Sequence, residues 1–379
     1  MFDYAIIGAG AAGLNLALAM SEEPWFAQKK ILIIEKSEKQ ESDRVWSYWE
    51  RGTSPFNAPV EKSWGRTVVE FGHQRLSFGL NDYRYQTLDS KVFHDYVKQQ
   101  IGGNEQFTWV TEEVVRLREA DDVEIVCRSQ SFRARHVFDS RLENEVVNRL
   151  DGYPGVLQHF KGWFVRFDEP VLDDTVFTMM DFGPKAIGTT SFVYVLPFSQ
   201  NYALFEFTFF DNSVLNGEAY DQLLTAYMSH HFPAAKYTVE KTEKGVVPMS
   251  MVPFHTAGTD RITKIGTAGG WVKPSTGYSF MRSRKMTRKV VDNLKNGRKP
   301  IHGLFSKRHR LYDWVMLDVL SRHNELGEDV FRQMYQRNDI ELILRFLDEE
   351  TNLVEELLFM NTFDKKLFLK SVGRWFLRG

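Results

Sequence analysis

The stretch Asp3-Tyr4-Ala5-Ile6-Ile7-Gly8-Ala9-Gly10-Ala11-Ala12-Gly13-Leu14 decides the fold, because it runs from an apolar strand through a glycine turn into a helix. Leu14, Leu16, Ala17, Leu18 and Met20 continue it as a run of good helix formers. A second apolar run, Ile31-Leu32-Ile33-Ile34, then closes on Glu35, 22 positions after Gly13. Strand, glycine turn, helix, strand and acid are the parts of a dinucleotide-binding βαβ unit. Gly8 permits the tight turn, Gly10 lets the backbone approach a pyrophosphate, and Gly13 lets helix and strand pack closely. The helix N-terminus offers free N–H groups and a favourable dipole to the phosphates. Glu35 stands where a carboxylate meets a ribose hydroxyl. A glycine turn without a nucleotide is the plainer alternative, and the full context argues against it.

A chain of 379 residues suffices for two or three domains. With 48 Lys and Arg against 50 Asp and Glu, no global charge points to nucleic acid. The single cysteine, Cys127, excludes an intramolecular disulfide framework and a structural zinc site of several thiolates. His94, His159, His230 and His231 have no spacing with Asp or Glu that makes a metal site, so no metal is expected. No apolar stretch approaches the ~20 residues needed to span a bilayer, and no basic and apolar leader precedes the first strand. The expectation is a chain on the cytoplasmic side that can lie on a membrane as a peripheral protein. The 30 Phe, 14 Tyr and 9 Trp suit a large apolar ligand as well as a core.

Further along, Lys36 to Ser42 reads as a loop, followed by Asp43-Arg44-Val45-Trp46-Ser47-Tyr48-Trp49. Val68 to Phe71 and Arg75 to Phe78 read as paired strands around Gly72-His73. Ser90 to Ile101 reads as a helix capped by Asp89 or Ser90, with Val92, Phe93, Tyr96, Val97 and Ile101 on one stripe. Strand-like runs follow at Phe107 to Val110, Val123 to Cys127 and His136 to Phe138, the last entering Asp139-Ser140-Arg141. From Pro154 to about Phe210, β-branched and aromatic runs alternate with turn residues, the pattern of an antiparallel sheet inserted into the nucleotide domain. Glu218 to His230 is helical, and Gly245 to Met249 leads out of the insertion. A second strand and glycine turn, Ile262 to Gly270, precedes Lys273-Pro274-Ser275-Thr276-Gly277-Tyr278-Ser279-Phe280 and a helix. From Leu311 onward the pattern is helical.

These segments together resemble the lycopene cyclase family of flavoproteins, specifically the bacterial β-cyclases. The resemblance rests on Asp3 to Gly13, Arg44 to Trp49, Phe138 to Arg141, Gln158 to Trp163, Leu204-Phe205-Glu206-Phe207-Thr208, and Gly266 to Phe280. It implies an α/β fold of the aromatic-hydroxylase type. A discontinuous, Rossmann-like FAD-binding domain would comprise 1–70, 89–147 and 255–298. An antiparallel β-sheet substrate domain would comprise 71–88 and 148–254, and 299–379 would be a helical C-terminal region. It further implies Gly8, Gly10, Gly13, Glu35, Arg44, Asp139, Gly266, Thr276, Gly277 and Tyr278 as cofactor contacts, the last three by the PSTGYSF turn. The implied reaction converts the ψ ends of lycopene to β-ionone rings through γ-carotene, with reduced FAD, NADPH as electron donor and no net redox change. Two departures stand out: Phe205 and Phe207 flank the strand glutamate where relatives often carry an acidic or polar neighbour, and the turn at Gly266 lacks an aspartate used by hydroxylase relatives.

Residue chemistry points the same way for Glu206. On a strand, Leu204, Glu206, Thr208 and Phe210 share one face. A carboxyl among apolar neighbours has a raised pKa, because desolvation disfavours its charged form, and such an acid can protonate an alkene. The plainer alternative is a carboxylate facing water. Trp46, Trp49, Phe160, Trp163, Phe205 and Phe207 are the expected polyene-lining residues. The string Phe346-Leu347-Asp348-Glu349-Glu350-Thr351 resembles the catalytic string of plant members but lies in the wrong order, and such charge runs are usually a solvated helix face. On a terminal helix from Lys365, Phe368, Leu369, Val372, Trp375 and Phe376 form an apolar face beside Lys366, Lys370 and Arg374, a pattern for anionic headgroups. An FAD-dependent monooxygenase acting on another apolar substrate is the alternative function, and a non-catalytic carrier a third.

Overall fold

The computed structural model of the chain describes residues 1–38, 44–52, 56, 59–142, 152–184, 186 and 188–378. Strands β1 (Phe2–Ile7) and β2 (Ile31–Glu35) pair in parallel, Tyr4 beside Ile31 and Ile7 beside Ile34, with α1 (Ala11–Glu22) crossing between them. Both strands read as continuous apolar runs because the sheet is covered on both faces. Most of the loop expected over Lys36 to Ser42, and Asp43 with it, lies outside the described residues. Next come β3 (Val45–Arg51), β4 (Lys62–Trp64), the hairpin β5 (Arg66–Phe71) and β6 (Gln74–Gly79), and β7 (Tyr83–Asp89). Helix α2 (Ser90–Ile101) begins at Asp89, whose carboxylate accepts the N–H groups of Lys91 and Val92. Strands β8 (Phe107–Thr111), β9 (Val114–Glu119), β10 (Val123–Cys127) and β11 (Ser131–Asp139) complete the first sheet, in the order β8-β2-β1-β11-β10-β9.

The second sheet is built from β12 (Gly155–Phe167), β13 (Phe177–Asp181), β14 (Thr190–Ser199) and β15 (Tyr202–Phe210), then, after α3 (Gly217–His231), from β16 (Tyr237–Ser250). Its order is β16-β12-β15-β14-β13-β5-β6. Helix α3 covers one face, packing Tyr220, Leu224 and Met228 against Phe205, Phe207 and Phe209. Strand β17 (Ile262–Lys264) then returns to β11, and α4 (Phe280–Lys295) lies along α1. Helices α5 (Lys307–Arg322), α6 (Gly327–Arg337), α7 (Ile340–Leu347), α8 (Leu353–Met360) and α9 (Lys365–Arg378) close the other face of the second sheet. The result is a mixed α/β fold: a parallel nucleotide-type sheet, an antiparallel sheet and a helical C-terminal part.

Several boundaries differ from the sequence reading. The expected break at 70/71 falls inside β5, which belongs to the second sheet because it pairs in parallel with β13. Strand β7 was expected with the substrate sheet but pairs with β3 and β4. Gly245 to Met249, expected to lead out of the insertion, does so as the end of a 14-residue strand. Strand β9 escaped notice because only Val114 of its first pair is buried, while Val115 is 60% exposed. Val92 faces solvent, and His94 takes its place in the buried stripe of α2.

Candidate active site

The glycine turn has the geometry its sequence implies. Gly8 has φ of +93°, and a Cβ there would stand 2.1 Å from Ser140 Oγ. A Cβ on Gly13 would stand 2.0 Å from the carbonyl oxygen of Gly8, whereas at Gly10 it would meet nothing within 4 Å. Gly10 caps α1 without any side chain bonding the first turn, so those N–H groups remain for an anion. Glu35 reaches across the turn: its Oε2 accepts the Ala9 N–H at 2.6 Å and its Oε1 the Lys36 N–H at 3.0 Å. Gly266 has φ of +60° and sets the second turn against Ala12 at the start of α1. An open cradle at Gly10 between two glycine turns fits a dinucleotide pyrophosphate.

Beyond this cradle opens a cavity of about 1020 Å³, bounded by β3, the inner face of the second sheet, the turn before α4 and helices α5 to α9. Arg44, Trp46, Thr276, Gly277 and Tyr278 line it, as do Phe160 and Glu206. Trp46 stacks on Phe280 with ring centroids 5.3 Å apart. The N–H groups of Thr276 and Gly277 do not point at a cofactor, because both donate to the Lys273 carbonyl, at 3.2 and 2.9 Å. Gly277 is needed for closeness instead: its φ is +76°, and a Cβ would fall 1.8 Å from Gln158 Oε1. That amide oxygen is buried and has no hydrogen-bond partner among the described residues.

Glu206 sits in the middle of β15, where even positions face the cavity. Its register partners are Tyr194 on β14 and Gly162 on β12. Thr208 donates its hydroxyl to Glu206 Oε1 at 2.7 Å. Burial is the largest influence on the carboxyl and pushes its pKa up; the neighbouring Glu243 carboxyl adds to this, and the Thr208 hydroxyl opposes it. Three phenols stand around it: Tyr194 donates to Tyr85 at 2.6 Å, and the Tyr85 and Tyr278 hydroxyls are 3.1 Å apart. Burial drives all three well above the usual phenol range, so they stay neutral. The other carboxyl on the cavity wall, Asp313, is ion-paired with Lys273 at 2.9 Å. Among the described residues no cation pairs with Glu206. The arrangement is a carboxyl of raised pKa in an aromatic-walled cavity.

Four expected lining residues lie elsewhere. Phe205 and Phe207 are odd-numbered on β15 and therefore pack against α3 on the opposite face. Trp163, paired with Phe205, follows them and gives its indole N–H to Asp221 of α3 at 3.0 Å. Trp49 backs the wall without lining it, its ring edge on Tyr278 at 4.4 Å and its N–H on Asp348 at 2.7 Å. Asp139 is no cofactor ligand either: it is fully buried, with Arg141 at 2.8 Å and Lys264 at 3.0 Å taking up its carboxylate. It ties β11 to β17.

Of the acidic string after α7, Glu350 is solvated, while Asp348 and Glu349 are not. Glu349 has φ of +63° and turns inward, paired with Arg282 and with Lys273 at 3.0 Å. Although burial opposes it, these two cations pull its pKa down to about 2. Asp348 goes the other way, raised by burial to about 7 while the Trp49 N–H opposes the rise. The terminal helix also differs from expectation. Arg374 does not reach outward; it binds buried Asp318 of α5, which also takes the Ser371 hydroxyl at 2.7 Å. Phe368, Val372 and Trp375 pack inward, while Leu369 and Phe376 are 66% and 71% exposed. Among the described residues, no helix is long and apolar enough to cross a membrane, and no three His, Cys, Asp or Glu side chains gather as a metal site.

Residues 3–371 match the family described as lycopene cyclase protein. No curated protein matches the chain. Solved structures share the fold at low identity. A geranylgeranyl bacteriochlorophyll reductase-like protein from Thermoplasma acidophilum is 12% identical with a TM-score of 0.60, covering 98% of this chain and 95% of its own. The flavin-dependent brominase Bmp2 is 13% identical with a TM-score of 0.58, covering 100% of both. Halogenase PltM, solved with phloroglucinol and FAD, is 12% identical with a TM-score of 0.59, covering 97% and 85%.

Proposed function

Because this chain belongs to the lycopene cyclase protein family, we propose that it is a lycopene β-cyclase in which Glu206 is the proton donor. The observation that carries the reading is a buried carboxyl, with no cation paired to it among the described residues, in the wall of a large aromatic cavity. The cofactor proposed is FAD, held by the Gly8–Gly13 turn, Glu35 and the turn at Gly266, with Arg44 and Tyr278 at its cavity end; NADPH is the proposed electron donor. Bound in its reduced form, the flavin would supply negative charge and an aromatic face to a cationic substrate.

Glu206 gives its proton to C2 of a ψ end, leaving a tertiary cation at C1. The C5–C6 double bond attacks through C6, forms the C1–C6 bond and moves the charge to C5. Loss of the C6 proton creates the ring double bond, so one proton enters, one leaves and no electrons are exchanged. Phe160, Tyr85, Tyr194 and Tyr278 exclude water and present π faces to the cation. The γ-carotene so formed becomes β-carotene by the same steps at its other end.

The test is Glu206→Gln in a lycopene-accumulating host. Loss of the general acid should cost ~10²- to 10⁴-fold in rate, with lycopene uncyclised and FAD retained. Near-normal β-carotene would remove the assignment. Turnover in deuterated water should place deuterium at C2 without stoichiometric NADPH or oxygen consumption, whereas consumption of both with product would favour a flavin monooxygenase. Gly10→Val should abolish FAD retention by filling the open cradle.

Lycopene resides in lipid, so we also place this protein peripherally on a membrane. Leu357 of α8 and Leu369 of α9 are 65% and 66% exposed and both border the cavity, beside exposed Leu353, Val354 and Leu358. Lys365, Lys366 and Lys370 flank them, and α9 carries no acidic residue, which suits anionic headgroups. Deleting α9 would strip a packed helix, so the sharper variant is Leu357→Ser with Leu369→Ser. Binding to anionic liposomes should fall; unchanged co-sedimentation would move the contact elsewhere.

A further inference from the structure

Across the cavity face of the second sheet, Glu206, Gly162 and Glu243 stand in one row, on β15, β12 and β16. Direct register partners project to the same face, so two carboxyls flank a position without a side chain. A Cβ on Gly162 would lie 3.5 Å from Glu206 Cβ, 3.2 Å from Glu243 Cγ and 2.7 Å from Leu204 Cδ1. A glycine inside a strand weakens it and marks a place where other groups must approach. Here the groups are two acids.

Their surroundings differ. Glu206 faces the apolar cavity with the Thr208 hydroxyl as its partner. Glu243 accepts the backbone N–H of Val45 and lies near Lys241, whose ammonium sits 5.2 Å over the Phe164 ring. A negative charge on this pair therefore has a cation and a backbone N–H near it at Glu243, and only the Thr208 hydroxyl at Glu206. Resting on the reading of Glu206 as the acid, we propose that Glu243 is a positioning residue for the catalytic proton: held as a carboxylate across the empty Gly162 position, it keeps Glu206 in the acid form. Two like charges in a buried pocket cannot both persist, so the first proton stays where the charge has less support.

The other groups around Glu206 do not compete for this role. Tyr85, Tyr194 and Tyr278 are held neutral by burial, and Tyr220 of α3 is raised to about 12. Arg44 and Lys244 border the cavity, and Lys241 is shared with exposed Glu61. Among the described residues, Glu243 is the second carboxyl set beside Glu206 on this face. Burial raises its pKa, while Lys241 and the Val45 N–H hold it lower than burial alone would.

The experiment is Glu243→Gln and Glu243→Asp in the FAD-loaded enzyme, read by cyclisation rate against pH and by infrared titration of the protonated carboxyl band that Glu206→Gln removes. With Glu243→Gln, the Glu206 titration and the alkaline limb of kcat should both move down by about one pH unit. At acidic pH the rate should approach wild type, with KM unchanged. Glu243→Asp keeps the charge and should restore most of the shift. An unmoved Glu206 band in Glu243→Gln would overturn the proposal. Because the band is read without turnover, it tests Glu243 even if Glu206→Gln turns out to cyclise lycopene.

Discussion

Glu206 and Glu349 are the same residue, both largely buried, and the structure drives them in opposite directions. Glu349 turns into a pocket with Lys273 and Arg282 and is held ionised, down to about 2. Glu206 turns into a cavity of apolar and phenolic side chains, beside a second carboxyl, and its pKa is pushed up. Burial raises both; the partners decide the outcome. One arrangement makes a structural anion that ties the turn before α4 to the end of α7, and the other makes an acid.

The comparison can be broken most forcefully through its two carboxyls. Glu206→Gln carries the largest loss, ~10²- to 10⁴-fold in cyclisation rate, with no fall in thermal stability. Glu349→Gln inverts that profile. It leaves Arg282 and Lys273 short of a buried partner, which costs about 3 kcal/mol, visible as a lowered melting temperature, while Glu206 stays intact for the chemistry. A rate loss for Glu349→Gln as large as that of Glu206→Gln, at unchanged stability, would make Glu349 the acid.

The pH dependence of stability sharpens the contrast. A depressed folded-state pKa contributes stability above the unfolded carboxylate value, lost as pH falls toward about 2. The Tm advantage of wild type over Glu349→Gln should therefore shrink on acidification. A raised pKa has the opposite sign: it favours folding at low pH and is lost as pH rises through the folded-state value. Glu206→Gln should match wild-type Tm below the ordinary carboxylate pKa of 4.5 and exceed it increasingly as pH rises toward about 8, by differential scanning calorimetry. The smallest effect is Thr208→Val. It removes the hydroxyl that lowers the Glu206 pKa, so the alkaline limb of activity should move up by less than one pH unit, opposite to Glu243→Gln.

How much of this was legible before the structure depends on sequence distance. The βαβ unit could be read because its strands, glycines and Glu35 lie within one short segment. The orientation of Glu206 could be read because period-2 alternation is local. The same rule already excluded Phe205 and Phe207 from the cavity, and adjacency along the strand obscured it. Glu243 was not legible, since its meeting with Glu206 needs the register of three strands; the visible hint was Gly162 inside an aromatic-rich strand. Glu349 was misread because its cations, Lys273 and Arg282, lie 76 and 67 residues away. Asp139 was misread for a similar reason, its partner Lys264 lying 125 residues on.

Among the described residues the wall of the cavity offers one acid without a cation, whereas lycopene, the proposed substrate, is a palindrome with two identical ends. On the proposed reading, a single Glu206 would not serve both ends in one visit. Each molecule would have to present one terminus, withdraw, reverse and present the other, so the half-finished γ-carotene would become a free competitor of lycopene for the same entrance. Product ratio then becomes a matter of traffic. Plentiful lycopene should crowd out the second visit and leave one-ringed pigment, and scarce lycopene should let both ends close.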